Sequence, residues 1–221
     1  IGFDSYDNRI VFPLLDSYGN VLGFNKRLID AKTKGVKQKY IHSSNSDVFE
    51  KSKYIYGLNH IDKNADYIIL TEGVFDVILP QQFGVKNTIC ALGTTLSDYQ
   101  IDLLARYNKL LIIAYDCDEK GQKTLKKIIP QLQEAGINTK VLPLPEGKDL
   151  ADLSLQLKDN LLDYIMNNAI TYAYYQAKEI INDYNKELFE LNYKYTKLMK
   201  SIDYDINDKE FIETYIQSIM K

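Results

Sequence analysis

Alternating apolar and amphipathic segments between residues 66 and 144 predict a parallel sheet covered by helices. Apolar runs of buried-strand type are each followed by a segment with helical spacing. The expected strands are 66–71, 88–92, 110–115 and 139–144, and the expected helices are 74–83, 98–107 and 119–135. Ser97 is the expected N-cap of the second helix, and Gly136 the residue that ends the third. Strands that alternate with helices in this way indicate an α/β fold with a mostly parallel sheet.

The segments on either side of this region have different patterns. Before it, strands over 9–15 and 20–29 flank a turn at 16–20, and a lysine-rich loop follows over 32–39. After residue 161, apolar residues recur in steps of three and four from Ile170 to Ile202, which predicts one long helix, straight or bent. A capping-box pattern at 207–210 predicts the start of a second helix.

We therefore predict three parts: a small mixed α/β subdomain over 1–60, the α/β unit over 61–153 and a helical subdomain over 154–221. The last part is interpreted as a connector or a helical subdomain, and a dedicated partner-binding helix is the alternative.

Composition narrows the class of protein. Of 221 residues, 45% are hydrophobic and 26% are charged, which is enough for a packed core. No apolar stretch is long enough to span a membrane, and the first residues do not have the pattern of a signal peptide. Because the chain begins with Ile, we expect an excised fragment. Two cysteines predict no disulfide framework and favour a reducing cytoplasm, and two histidines, His42 and His60, make a zinc site unexpected.

Charge is distributed unevenly along the chain. The net charge is −3, but residues 23–53 hold eight lysine or arginine residues against three acidic ones, a local charge of +5. Acidic residues gather later, in short motifs. A basic segment followed by an acidic centre suits an enzyme in which one part holds a polyanion and another holds a metal that acts on it.

Carboxylates follow three of the predicted strands. The residues are Glu72 after the first strand, Asp116 and Asp118 after the third, and Asp149 and Asp152 after the fourth. Ligands of open parallel sheets bind at the carboxyl ends of the strands, and several carboxylates placed together repel one another unless a cation neutralises them. Oxygen ligands of this kind are preferred by Mg²⁺ and Mn²⁺. The sequence therefore predicts a divalent-metal site that acts on phosphates.

Three further residues bear on this site. Asp76 lies one helical turn after Glu72 and can face the same site. Gly121, just inside the third helix, permits close approach of the backbone to a ligand. Cys117, between the two aspartates, is interpreted as a small tolerated residue. An isolated Asp-x-Asp after a strand is more often a helix N-cap in a solvated turn, and only the joint occurrence of these motifs favours a metal.

Four short motifs in this order resemble the Toprim pattern of DnaG-type primases, topoisomerases and some nucleases. They read TEGVFDV, ALGTTLS, YDCDEKG and PEGKDLAD, at residues 71–77, 91–97, 115–121 and 145–152. The preceding segment resembles the polymerase core of the DnaG-type primase family alone. It contains NRIVFPLLDSYGNVLGFNKRL, KYIHS and VFEKSKYIYGL, at residues 8–28, 39–43 and 48–58. The resemblance covers about two thirds of the chain.

The resemblance implies roles for individual residues. Glu72, Asp116 and Asp118 would hold the catalytic Mg²⁺, for which Mn²⁺ can substitute, and Asp76, Asp149 and Asp152 would form a second metal region. Arg27, Lys39, Tyr40 and Lys51 would contact template or nucleotide. Two departures from the family pattern are Asp149-Leu-Ala-Asp152 in place of Asp-Pro-Asp, and His42 in place of Asn. Lys32, Lys34 and Lys37 match no motif and are interpreted as a solvated loop.

The implied function is synthesis of RNA primers on single-stranded DNA from ribonucleoside triphosphates, by a monomeric core in the cytoplasm without a membrane. A replicative helicase would bind through a module absent from this chain. Because the sequence has no phosphate-binding P-loop motif, any helicase activity is expected on another chain or in a missing part. Two alternatives stay open: another Toprim enzyme, such as a nuclease or topoisomerase, and a nucleic-acid-binding module without catalysis.

Overall fold

The computed structural model describes residues 1–29, 38–93, 95–116, 118–182 and 214, and it contains two four-stranded sheets. The first sheet is antiparallel, with its strands in chain order: β1 (Gly2–Asp4), β2 (Arg9–Leu15), β3 (Val21–Leu28) and β4 (Tyr40–His42). The turn between β2 and β3 forms because the Asp16 carboxylate accepts hydrogen bonds from the backbone N–H groups of Tyr18 and Asn20.

The second sheet is parallel, as the sequence pattern predicts. Its strands are β5 (Tyr67–Thr71), β6 (Thr88–Cys90), β7 (Leu110–Ala114) and β8 (Thr139–Val141), in the order β6-β5-β7-β8. All four are shorter than predicted, and two of them end at least two residues early. The strand expected over 88–92 ends at Cys90, because Leu92 has a φ of 55° and leaves the ladder. The strand expected over 139–144 ends at Val141, shortly before Pro143, which has no N–H to donate.

Helices cover both faces of the parallel sheet. They are α1 (Phe75–Gln82), α2 (Asp98–Ala105), α3 (Glu119–Glu134), α4 (Leu150–Leu157), α5 (Leu161–Asn168) and α6 (Tyr172–Asn182). Ser97 caps α2 with a complete capping box, and Gly136 follows α3 with a φ of 74°, so both predicted helix ends are confirmed. None of the described helices combines the length and the apolar character needed to cross a bilayer.

Alternate residues of the central strands point into two separate cores. On one face, Ile68 and Leu70 of β5 pack with residues of α2 and α3. On the other face, Ile69 of β5 and Ile112 of β7 pack with residues of α4 and α5. Because both faces are buried, the central strands have continuous apolar sequences. Because the strands are parallel, their carboxyl ends lie at the same edge of the sheet.

The predicted long C-terminal helix is wrong at its beginning. After α5, Ala169 adopts an extended conformation, and Ile170 exchanges two backbone hydrogen bonds with Val141 of β8 before α6 begins. Ile170 therefore extends the sheet edge, and its apolar spacing reflects burial there. The positions beyond 182 up to Ile202, and the capping box at 207–210, lie outside the described residues, as do Cys117 and Lys32, Lys34 and Lys37. The division into three parts stays a prediction.

A third core joins the two sheets. Phe12 and Leu14 of β2 pack with Val74, Val77 and Cys90 from the parallel-sheet unit. Tyr56 exchanges backbone hydrogen bonds with Cys90, which adds an antiparallel bridge to β6. The antiparallel sheet is thereby held beside α1, the helix that follows β5 and Glu72.

Gly57 at this junction is predicted to tolerate no side chain. It has a φ of 86°, and a β-carbon there would lie 2.5 Å from the Thr88 carbonyl oxygen. We expect Gly57→Ala to lower the free energy of unfolding by roughly 1–3 kcal/mol more than Gly19→Ala, measured by urea denaturation. Gly19 is a matched control, because it has nearly the same φ, 87°, but nothing within 4 Å of its β-carbon. Equal losses in the two variants would contradict the close approach.

Candidate metal centre

The acidic residues predicted from the sequence lie at the carboxyl edge of the parallel sheet, which we call the acidic edge. Glu72 directly follows β5, and Asp116 lies two residues after β7. Asp118 and Asp149 are the N-cap residues of α3 and α4. Since neighbouring parallel strands end at the same edge, the fold delivers carboxylates from three strand ends to one region.

The N-cap interpretation and the metal interpretation are both compatible with the contacts of Asp118 and Asp149. Oδ1 of Asp118 accepts a hydrogen bond from the Gly121 N–H at 2.7 Å, and Oδ1 of Asp149 accepts one from the Asp152 N–H at 2.7 Å. Each cap uses one carboxylate oxygen. Within the described part of the chain, the second oxygen of each group accepts no hydrogen bond. Capping therefore fixes the position of each carboxylate and leaves one oxygen of each for a ligand.

Asp76 connects two of the elements that carry acids. Its side chain is buried in the first turn of α1, where Oδ2 accepts from the Gly73 N–H and Oδ1 accepts from the Ala151 N–H, each at 3.1 Å. Ala151 belongs to the first turn of α4, which also contains Asp152. Asp76 therefore joins the segment after β5, which contains Glu72, to the first turn of α4, which Asp149 caps.

Three of these carboxylates have raised pKa values. Burial, followed by the charges of Asp116 and Asp118, raises the pKa of Glu72. Burial and the charge of Asp149 raise the pKa of Asp76 to about 7. Burial, Asp149 and Asp118 raise the pKa of Asp116. Lys120 partly opposes this effect at Glu72 and Asp116, so its ammonium group lies within electrostatic reach of the edge.

The donor set fits a hard divalent cation. It consists of carboxylate oxygens whose mutual repulsion a cation would neutralise, and oxygen-only sites of this kind suit Mg²⁺ and Mn²⁺. In the described residues, no three His, Cys, Asp or Glu side chains already meet closely enough to enclose an ion.

Arg27 and Tyr40 lie beside the acidic edge. They are paired across β3 and β4, and Nη1 of Arg27 donates to the Tyr40 hydroxyl at 2.9 Å. The Arg27 guanidinium also stacks over the ring of Phe75, 4.5 Å from its centroid. Phe75 immediately precedes Asp76, and the charge of Asp76 also acts on Tyr40, so this stack places a positive charge near the Asp76 carboxylate. Sequence reasoning missed Phe75, although it lies within the TEGVFDV motif.

Lys51 and Lys39 differ in their positions. Lys51 begins a short 3₁₀ helix, and its Cε lies 4.0 Å from the position of a β-carbon on Gly93, so it reaches the second motif of the parallel-sheet unit. Lys39 has an exposed side chain and immediately precedes β4, and its backbone carbonyl accepts hydrogen bonds from Arg9 and Leu28. The structure therefore brings Lys51 to the loops of the acidic edge, and it gives Lys39 no comparable contact within the described residues.

Asn25 and His42 were also missed as a pair. They face each other across β3 and β4, and Oδ1 of Asn25 and Nδ1 of His42 are buried without hydrogen-bond partners in the described structure. Burial and the charge of Lys51 lower the pKa of His42, which favours its neutral form. Only the departure from the family pattern at His42 marked this position in the sequence.

The raised pKa of Asp76 predicts a pH dependence of stability in the absence of metal. The folded chain binds a proton at Asp76 up to about pH 7, whereas an unfolded aspartate has a pKa of 3.8. The stabilisation is therefore fully present below about pH 4 and is lost as the pH rises through about 7. We expect the unfolding temperature in EDTA to fall between about pH 5.5 and about pH 8. Asp76→Asn should flatten this dependence, and an unchanged slope in that variant would contradict the assignment.

Two segments of the chain match known protein families. Residues 2–62 match the family described as DNA primase catalytic core, N-terminal domain, and residues 69–154 match a Toprim-like family. The DNA primase of Clostridium acetobutylicum is 32% identical over 219 residues, which are 98% of this chain and 36% of that protein. The chain spans about a third of the length of the curated relatives it matches.

Solved primase structures have the same fold. The RNA polymerase domain of Mycobacterium tuberculosis primase DnaG aligns with a TM-score of 0.77 at 19% identity, over 95% of this chain and 70% of that one. A DnaG primase catalytic domain solved with bound single-stranded DNA aligns with a TM-score of 0.63 at 27% identity, over 75% and 53% of the two chains.

Proposed function

The chain belongs to the DnaG-type DNA primase family, and we propose that it carries the RNA-polymerase chemistry of such an enzyme. The reaction is the joining of ribonucleotides into a short RNA primer on single-stranded DNA. The observation that carries the proposal is the group of six carboxylates at one sheet edge, close enough to act on one another's charge, next to the stack of Arg27 on Phe75. A similar catalytic domain binds single-stranded DNA, which supports the choice of template.

In this proposal, Glu72, Asp116 and Asp118 hold a catalytic divalent metal, and Asp76, Asp149 and Asp152 form a second metal region. Mg²⁺ is the proposed ion, and Mn²⁺ can replace it because the donors are all oxygens. When bound, the ion neutralises charge on the phosphates and activates the attacking 3′ oxygen. Asp76 also accepts hydrogen bonds from the backbone N–H groups of Gly73 and Ala151. The geometry of the second metal region would therefore depend on these two hydrogen bonds.

The residues of the chain position the reacting groups. In the reaction the 3′-hydroxyl of one nucleotide attacks the α-phosphate of the next, and pyrophosphate leaves. Arg27, held by the Tyr40 hydroxyl and the Phe75 ring, presents a fixed positive charge to template or nucleotide phosphates. Lys51 extends this charge toward the Gly93 loop, and Lys39 adds an exposed charge just before β4. Such contacts set the register of the strand and do not read its bases.

Two observations bear on the rival functions. A Toprim nuclease or topoisomerase would share the parallel-sheet unit, but residues 2–62 match the N-terminal domain of the primase core. A binding module without catalysis would not need acidic groups whose burial, together with their mutual repulsion, raises the pKa of Glu72, Asp76 and Asp116. These observations favour the primase function over both alternatives.

The partners follow from the family. We propose ribonucleoside triphosphates as substrates, the cytoplasm as the place of action and a monomeric core. A replicative helicase would bind through a module outside this sequence.

The proposed function is tested with end-labelled single-stranded DNA, ribonucleotides and Mg²⁺ or Mn²⁺. We expect alkali-labile RNA to be made and the DNA to keep its length. Shortened DNA without RNA would instead identify a nuclease, and intact DNA without RNA under every condition would favour a binding module.

A further inference from the structure

A surface cleft lies next to the acidic edge, on the side of α3. Its volume is about 560 Å³, and it runs between Thr95, in the loop after β6, and the first turns of α3. Asp118 and Glu119 lie at the end nearest the edge, and Lys120, Lys123 and Lys127 line the helix side. The cleft therefore begins at a proposed metal ligand and continues away from it along a row of lysines.

The lysines share one face of α3. Their spacing of three and four residues places them on one side of the helix, and the rise of the helix gives about 10 Å between the first and the last. Lys126 is also exposed but does not line the cleft. The positive charge in the cleft thus follows from the register of these lysines on the helix and not from the overall charge of the segment.

The lysines are available to an anion. Lys123 pairs with Glu119 at 2.5 Å, but both side chains are largely exposed, and ion pairs of this kind contribute little. Lys120 and Lys127 form no ion pair within the described residues. The N-terminus of the 16-residue helix adds partial positive charge at the same end of the cleft.

We propose that this cleft binds a phosphate group that adjoins the metal centre. The proposal rests on the proposed function, because a polymerase presents phosphates at this edge. Two sources share this chemistry: the phosphodiester backbone of the template or product strand, and the triphosphate of the incoming nucleotide. In either case Lys127 makes the contact farthest from the reacting atoms and Lys120 the nearest.

The test compares Lys127→Ala with Lys126→Ala, neighbouring exposed lysines of which only the first lines the cleft. Binding of fluorescent single-stranded DNA is measured by anisotropy over a range of salt concentrations, and binding of ATP with Mg²⁺ is measured by calorimetry. If the strand occupies the cleft, Lys127→Ala weakens DNA binding and reduces the slope of log K against log salt by about 0.7. If the triphosphate occupies it, Lys127→Ala weakens ATP binding and leaves that slope unchanged.

Lys126→Ala should match the wild type in both assays. Equal behaviour of the two variants in both assays would overturn the proposal. The charge-reversal pair Lys127→Glu and Lys126→Glu repeats the comparison, with a larger expected difference between the two positions. The binding assays do not depend on catalysis. A wild-type chain that makes no RNA, yet binds DNA or ATP in a Lys127-dependent way, would refute the proposed function and support the cleft.

Discussion

The Asp116→Asn variant is expected to lose metal-dependent ribonucleotide incorporation by about a hundredfold or more, because even residues that only support a metal ligand typically contribute 10- to 100-fold. Asn keeps the size of the side chain and removes the charge that a divalent cation would neutralise. Since burial and neighbouring carboxylates already raise the pKa of Asp116, the neutral variant should be at least as stable as the wild type without metal.

Two measurements separate this result from unfolding. Thermal unfolding in EDTA should show no loss of stability, and calorimetric titration with Mn²⁺ should show weakened binding. Asp102→Asn is the matched control, because Asp102 is an exposed carboxylate on α2, away from the strand ends. Equal incorporation by Asp116→Asn and Asp102→Asn would contradict the metal assignment.

Gly121→Ala is expected to lower both stability and activity. A β-carbon at Gly121 would lie 1.9 Å from the Asp116 carbonyl oxygen and 3.4 Å from Oδ1 of Asp118. The backbone that carries Asp116 would have to move, because a carbonyl oxygen cannot yield as a flexible side chain does. We expect a loss of roughly 1–3 kcal/mol in the free energy of unfolding, as for other overpacked positions, and a large loss of incorporation.

Gly2→Ala is the control for this substitution. Its β-carbon would have Val11 Cβ at 3.9 Å as its nearest neighbour, which is ordinary contact. Urea denaturation and the incorporation assay are measured on both variants. Wild-type incorporation by Gly121→Ala would show that the turn between β7 and α3 does not hold the site in place.

Much of the parallel-sheet unit could be predicted from the sequence, because its information is local. The apolar run of β7 and the capping residues Ser97 and Gly136 each determine a structure within a few residues, and all were confirmed. The acidic edge could be predicted in the same way, since parallel strands place their carboxyl ends together. The N-cap contact of Asp118 shows that the more common interpretation of an Asp-x-Asp motif was also correct.

The features that sequence reasoning missed depend on contacts between distant parts of the chain. The stacking of Arg27 on Phe75 joins residues 48 positions apart and has no periodic signal. Ile170 fits a helical pattern, but its backbone forms an antiparallel bridge with Val141 of β8 in place of a helical turn. The cleft beside α3 depends on the position of Thr95 opposite the lysines, which spacing within the helix cannot reveal.

The most direct test of the central claim is template-directed incorporation of labelled ribonucleotides on single-stranded DNA with Mg²⁺ or Mn²⁺, with wild type and Asp116→Asn compared. Homopolymer templates, with and without an annealed primer, show whether the template selects the nucleotide. We predict incorporation of the complementary ribonucleotide that requires metal and is lost in the variant. Incorporation that ignores the template, proceeds in EDTA or survives Asp116→Asn would contradict it.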